Sequence, residues 1–181
     1  MSSRSPGPSA IVVSKYNDSI TSVMLEGAVD AYTSAGGSVD SLAILEAPGA
    51  FELVSIAGAA ADSGMYESVV CLGCVIKGET SHDVHISNAV AVGIAEISIK
   101  TGVPVAFGVL TTNTIEQARA RAGGEVGNKG AEAMNAVLGA AGAISAINTA
   151  KAQNSPGVHY TPGFEVPDKA VSRSAIASEG M

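Results

Sequence analysis

The chain has 181 residues, of which 46% are hydrophobic, 4% aromatic and none tryptophan, and its formal net charge is −7. That length suits one domain with an aliphatic core of Ala, Val, Ile and Leu. Ten Lys plus Arg do not make the basic face that nucleic-acid binding requires, whereas a single phosphate needs only one or two cations.

Met1 to Ala10 holds one Arg and two prolines, Pro6 and Pro8, with no apolar run behind them. No signal peptide is expected, and residues 1–9 read as an arm. Ala10 to Val13 is a short β-type run. Ile20, Val23, Met24, Ala28, Ala31 and Tyr32 then repeat with helical spacing. Asn17 and Asp18 offer N-cap chemistry, and Gly36-Gly37 ends the helix. Ser41 to Glu46 predicts a second strand and Phe51 to Ala61 a second helix, closed near Gly64. Ser68 to Ile76 is almost wholly apolar, as expected of a strand covered on both faces.

Val84 to Lys100 predicts a third helix, stopped by Gly102 and Pro104. Val105 to Leu110 is a fourth strand. Asn113 with Glu116 three residues later resembles a capping box, opening a short helix to Ala122 that Gly123-Gly124 breaks. Asn128 to Asn148 is a long Ala-rich helix. Its uncharged part, Ala133 to Ile147, reads as too short and too interrupted to span a bilayer, so a cytoplasmic protein is expected. Residues 154–181 turn rich in Pro, Gly and Ser and read as a tail. The expected division is therefore an arm at 1–9, a domain at 10–150 and a tail at 151–181.

Alternation of strand and helix demands parallel strands joined by right-handed crossovers. The expected fold is α/β: a three-layer α/β/α sandwich on a four-stranded parallel sheet, flavodoxin-like, with ligands at the carboxyl ends of the strands. Cys71 and Cys74 form a C-x-x-C, but inside a strand. Residues three apart there point to opposite faces, so both read as small core hydrophobes.

Dinucleotide, P-loop, serine-hydrolase and zinc-protease motifs are not found in the sequence. His82 and His85 could make half a metal site, but no third ligand cluster stands nearby in sequence, and no metal or cofactor is expected. His82 follows the third strand directly, where an imidazole could move protons at neutral pH. Gly78, Glu79, Thr80 and Ser81 precede it, bringing flexibility, hydroxyls and backbone N–H groups to a helix start, an arrangement suited to an anion. Arg121 could complete the grip. Taken singly, a surface histidine and a solvated arginine would be the plainer readings. Glu52, after Pro48, Gly49, Ala50 and Phe51, falls in a first helical turn, where the dipole favours a carboxylate.

Together these pieces are more specific. Ala47-Pro48-Gly49-Ala50-Phe51-Glu52, Leu72 to His82 (LGCVIKGETSH), Pro104 to Ala118 (PVAFGVLTTNTIEQA), Arg121-Ala122-Gly123 and Gly127 to Glu132 (GNKGAE) resemble the lumazine synthase family in order and spacing, over Ile11 to Ala150. The resemblance implies a cofactor-free transferase that makes 6,7-dimethyl-8-ribityllumazine from 5-amino-6-ribitylaminouracil and 3,4-dihydroxy-2-butanone 4-phosphate. It implies Tyr16 stacked on the pyrimidine with Asn17 beside it. Ala50, Phe51 and Glu52 would form the ribityl site, and Thr80, Ser81 and Arg121 the phosphate site. His82 would be the proton shuttle, Lys129 a pyrimidine-side contact and Phe107 a residue reaching a neighbouring subunit's site. Val75, Ile76, Lys77 and Glu79 fall in the same substrate-binding stretch.

The resemblance also implies a homo-oligomer, a pentamer or a shell of pentamers, and the short link from Arg121 to Lys129 favours a shell. Two departures stand out. Asp83, Val84 and His85 follow His82 where the family has an aromatic, an acid and Tyr, so the acid is displaced by one place. Glu125 stands where Lys is frequent. These departures and the tail leave two alternatives on the same scaffold: a flavin or lumazine carrier, and a shell-forming protein.

Overall fold

A computed structural model describes residues 5–158 and Tyr160 of the chain. β1 (Ser9–Ser14) is buried at every position. It pairs in parallel with β2 (Leu42–Ala47) on one side and β3 (Ser68–Ile76) on the other, and β3 pairs in parallel with β4 (Val105–Thr112). The sheet order β2-β1-β3-β4 leaves β2 and β4 at the edges. The continuous apolar run of β3 is thus explained: it lies inside the sheet with both faces covered.

Alternate strand residues supply two cores. Ile11, Val13, Val70, Leu72 and Cys74 face α1 (Asp18–Ser34), α4 (Ile115–Arg121) and α5 (Lys129–Ala152). Ala10, Val12, Val69, Cys71 and Val109 face α2 (Leu53–Asp62) and α3 (His82–Thr101). The expected three-layer α/β/α sandwich with a four-stranded parallel sheet is the architecture of the protein. Cys71 and Cys74, free and buried, fall in opposite cores, as strand geometry requires.

Local boundaries shift for identifiable reasons. Asn17 precedes α1 as expected but makes no side-chain cap: its backbone is left-handed (φ 61°, ψ 42°) rather than extended as in an N-cap, and its Nδ2 is held by Cys74 O. The capping pair of α4 lies one residue later than expected. Thr114 Oγ1 accepts from Gln117 N–H at 3.3 Å, and Gln117 Oε1 accepts from Asn113 N–H at 2.9 Å. α3 begins two residues earlier than its apolar pattern, since His82 and Asp83 form its first turn.

A short antiparallel ribbon, β5 (Ala122–Gly124) with β6 (Gly127–Asn128), joins α4 to α5. Its strands are too short for any alternation, so only Gly123 (φ 112°) and Gly127 (φ 89°) could have signalled it. α5 runs on to Ala152, beyond the uncharged stretch, and is long and apolar enough (mean hydropathy 1.2) to cross a bilayer by length and composition alone. Its Ala133, Met134 and Val137 are instead packed in the core against the sheet and α1. Pro8 and Gly7 of the arm are tied to the sheet end: Glu67 N–H donates to Pro8 O at 2.7 Å and Tyr32 hydroxyl to Gly7 O at 3.0 Å. Most of the expected tail lies outside the described residues.

Candidate functional site

The carboxyl ends of β1, β2 and β3 gather the first group of residues. Lys15 N–H donates to Ala47 O at 2.8 Å, continuing the β1–β2 ladder past the strand ends. Lys15 Nζ reaches Asp18 at 3.0 Å and Glu46 at 3.5 Å. The hydrogen bond and charge of Asp18, with Glu46 adding to them, raise the Lys15 pKa above the usual lysine value. Two more bonds anchor the turn that follows: Thr21 Oγ1 donates to Ser14 O at 2.8 Å, and Tyr16 N–H to Ser14 Oγ at 3.2 Å.

Asn17 stands in the left-handed region (φ 61°, ψ 42°) and donates from Nδ2 to Cys74 O at 2.9 Å. A non-glycine residue held there signals a constraint imposed by its surroundings. Tyr16, beside it, is 69% exposed. From β2, Ala50 is buried while Phe51 is 58% exposed. Glu52 is the N-cap residue of α2 and makes no side-chain cap, so its carboxylate is not spent on the helix. It folds over Gly49 instead, where a Cβ would come within 2.8 Å of Glu52 Oε2.

At the end of β3, Val75 is buried, Ile76 partly buried and Lys77 exposed. Lys77 N–H still donates to Thr112 O at 2.8 Å. Beyond it, Gly78, Glu79, Thr80, Ser81 and His82 are all exposed. Ser81 is the N-cap of α3 but makes no side-chain cap, so the first-turn N–H groups of this 20-residue helix receive none from it. Asp83 Oδ1 is buried without a hydrogen-bond partner among the described residues, so this oxygen does not orient the imidazole of His82.

A second group lies along the free edge of β4. Phe107, Thr111, Arg121, Lys129 and Glu132 line one open groove of about 360 Å³, floored by Gly108 to Leu110 and by Ala133 and Ala136 of α5. Phe107 is 44% exposed at this edge. Arg121 ends α4 with Nη1 donating to Gln117 O at 3.0 Å. Lys129 opens α5 and donates to both carboxylate oxygens of Glu132, at 2.9 and 2.7 Å. The α4–α5 ribbon sets the separation of the two cations. Asn128 fixes its end, accepting from Gly130 and Ala131 N–H and donating to Val23 O at 2.8 Å.

Of the residues expected at one site, Phe107, Arg121 and Lys129 thus share a groove, and His82 does not line it. Glu132 also lines it and was not singled out from the sequence; its signal was the i, i+3 spacing to Lys129. The candidate residues thus fall in two groups, one at the strand ends and one along the outer edge of β4. Residues 8–145, well over half of the chain, match the family model described as 6,7-dimethyl-8-ribityllumazine synthase.

Proposed function

We propose, because the chain belongs to the 6,7-dimethyl-8-ribityllumazine synthase family, that it condenses 5-amino-6-ribitylaminouracil with 3,4-dihydroxy-2-butanone 4-phosphate. The family is one of transferases in riboflavin biosynthesis. The observation that carries the reading to these substrates is the pair of cations, Arg121 and Lys129, in one groove beside the exposed Phe107.

The substrate amine attacks the ketone and water leaves, giving an imine. The C–O bond to phosphate then breaks, and its electron pair departs on the phosphate oxygen. Elimination of phosphate, with loss of a proton from the neighbouring carbon, leaves an enol that becomes a ketone. The ribityl-bearing nitrogen attacks that carbonyl, and a second water leaves as the ring closes. Tyr16 and Asn17 hold the pyrimidine, and Ala50, Phe51 and Glu52 the ribityl chain. Val75, Ile76, Lys77 and Glu79 line the space between. Thr80, Ser81 and Arg121 hold the phosphate, and His82 relays protons. The reactants are intrinsically reactive, so positioning them supplies much of the rate.

In this reading the groove of one subunit faces the strand ends of the next, and the enzyme is a homo-oligomer, a pentamer or a shell of pentamers, working in the cytoplasm. The exposed Phe107 on the unpaired edge of β4 supports it. Mixing both substrates with the purified protein and following lumazine absorbance tests the activity; no product at any protein concentration would refute it.

The unpartnered Asp83 Oδ1 favours a second reading, a lumazine or flavin carrier with little turnover. A fluorescence titration with tight riboflavin binding and no product would select it.

A further inference from the structure

We propose that Thr21 is a positioning residue for the aminopyrimidine: from the buried face of α1 it holds both ends of the turn that carries Tyr16, and so fixes the ring on which the pyrimidine stacks. The inference rests on the reading of Tyr16 as the aromatic that holds the pyrimidine.

Tyr16 is 69% exposed, so packing around its ring does little to hold it. Its position is set by the backbone on either side. That backbone, Ser14 to Asn17, links β1 to α1 and is fastened at two points by one side chain and its own N–H. Thr21 is wholly buried. Its Oγ1 donates to Ser14 O at 2.8 Å, on the strand side of the turn. Its N–H donates to Asn17 O at 3.2 Å, on the helix side. Tyr16 lies between those points, and its own N–H donates to Ser14 Oγ at 3.2 Å, closing the turn on the same serine.

α1 itself does not call for the Thr21 bond. Ser22 and Thr33 of the same helix return their hydroxyls to carbonyls four residues back, those of Asp18 and Val29. Thr21 reaches seven residues back instead, out of the helix, to the last residue of β1. A buried hydroxyl needs a partner, and the partner taken here fixes the turn. With Asn17 Nδ2 tying the same turn to β3, Tyr16 is carried by a backbone that is ordered before substrate arrives. Preorganisation of this kind lowers the ordering cost of binding. Without the Oγ1 bond that cost falls on the binding of the aminopyrimidine. It does not fall on the phosphorylated substrate, which no residue of this turn holds in the proposed mechanism.

The test is steady-state kinetics on the full chain, with each substrate varied in turn. Thr21→Val keeps the shape of the side chain and removes the donor. It should raise KM for the aminopyrimidine about threefold to tenfold, as for loss of one buried hydrogen bond, with kcat and KM for the phosphorylated substrate kept. Thr21→Ser retains the hydroxyl and should restore most of the affinity. Thr33→Val, at an exposed position of α1, should behave as the unaltered chain does. Because Thr21 acts through Tyr16, adding Thr21→Val to Tyr16→Ala should raise KM no further. Should Thr21→Val fail to fold, Thr21→Ala removes the same donor and carries the same expectation. If Tyr16→Ala raises KM for the aminopyrimidine but the Thr21 variant leaves it unchanged, raises both KM values equally or adds in full to Tyr16→Ala, the role of Thr21 is overturned and the reading of Tyr16 stands. If Tyr16→Ala leaves that KM unchanged, both are overturned.

Discussion

Asn17 Nδ2 donates to the carbonyl of Cys74 at 2.9 Å, tying the turn after the first strand to the end of the third. The bond holds Asn17 at φ 61°, a conformation that Asn tolerates better than most residues. Asn17→Ala loses the bond and keeps the strain. Asn17→Gly loses the bond but relieves the strain. The alanine variant should be destabilised by about 1–2 kcal/mol, and the glycine variant by less. Denaturant midpoints measure the order. An equal loss in both would mean that the backbone conformation costs nothing.

The phosphate assignment of Arg121 predicts a selective kinetic effect. Arg121→Ala should raise KM for the phosphorylated substrate on the order of tenfold to a hundredfold, as for loss of a charged hydrogen-bonding partner, with KM for the pyrimidine little changed. Steady-state kinetics with each substrate varied in turn measures it. Equal effects on both KM values would move Arg121 out of the phosphate site.

For His82 the expected pattern is the reverse. His82→Asn keeps a polar group at the start of α3 but cannot relay a proton at neutral pH. Turnover should fall on the order of a hundredfold with both KM values nearly kept. Unchanged turnover would leave positioning as the whole of catalysis and remove His82 from the mechanism.

The sheet and its helices were legible because β1 and β3 are apolar runs and the α1 stripe has a clear helical period. What escaped was decided by partners distant in sequence. Asn17 is a good capping residue by type, but the bond from its Nδ2 to Cys74 O goes with a left-handed backbone that makes no cap. The ribbon between Ala122 and Asn128 is too short to carry a period, and it sets the spacing between Arg121 and Lys129. For the candidate site, the motif residues marked which strand ends and loops matter. They did not indicate that Arg121 and Lys129 share a groove that His82 does not line, because that depends on β4 being an edge strand.

At Gly130, α5 comes close against α1: a Cβ there would collide with the carbonyl of Met24. That oxygen belongs to the backbone of a buried helix face and cannot move without shifting the helix. Gly130→Ala should therefore cost about 3 kcal/mol and lower Tm by roughly 5–10 °C, despite the better helix propensity of Ala. Gly142→Ala is a poorer comparison, since Tyr160 lies against it. Thermal unfolding of Gly130→Ala against Gly64→Ala, whose Cβ meets nothing within 4 Å but whose φ of 71° is left-handed, separates the collision from backbone strain. A smaller loss at Gly130 than at Gly64 would contradict the close approach.

Burial pushes the Cys71 thiol up to about 12 and the Cys74 thiol to about 11, from 9.0 in an exposed thiol. Both thiols therefore stay protonated in the folded chain at pH values where the unfolded chain has lost those protons. With more protons bound to the native state, stability must fall as pH rises from about 9 towards 12 and is unaffected by these groups below that window. Denaturant midpoints between neutral pH and pH ~11 should show a steeper alkaline decline in the unaltered chain than in a Cys71→Ala, Cys74→Ala double variant. Comparing slopes cancels the Lys and Tyr titrations common to both proteins and the constant loss from the shortened side chains. The same burial makes the thiols inert: a thiol reagent at pH 8 should modify neither cysteine in the native protein and both after unfolding. Rapid modification of either one in the folded state would place it outside the two cores.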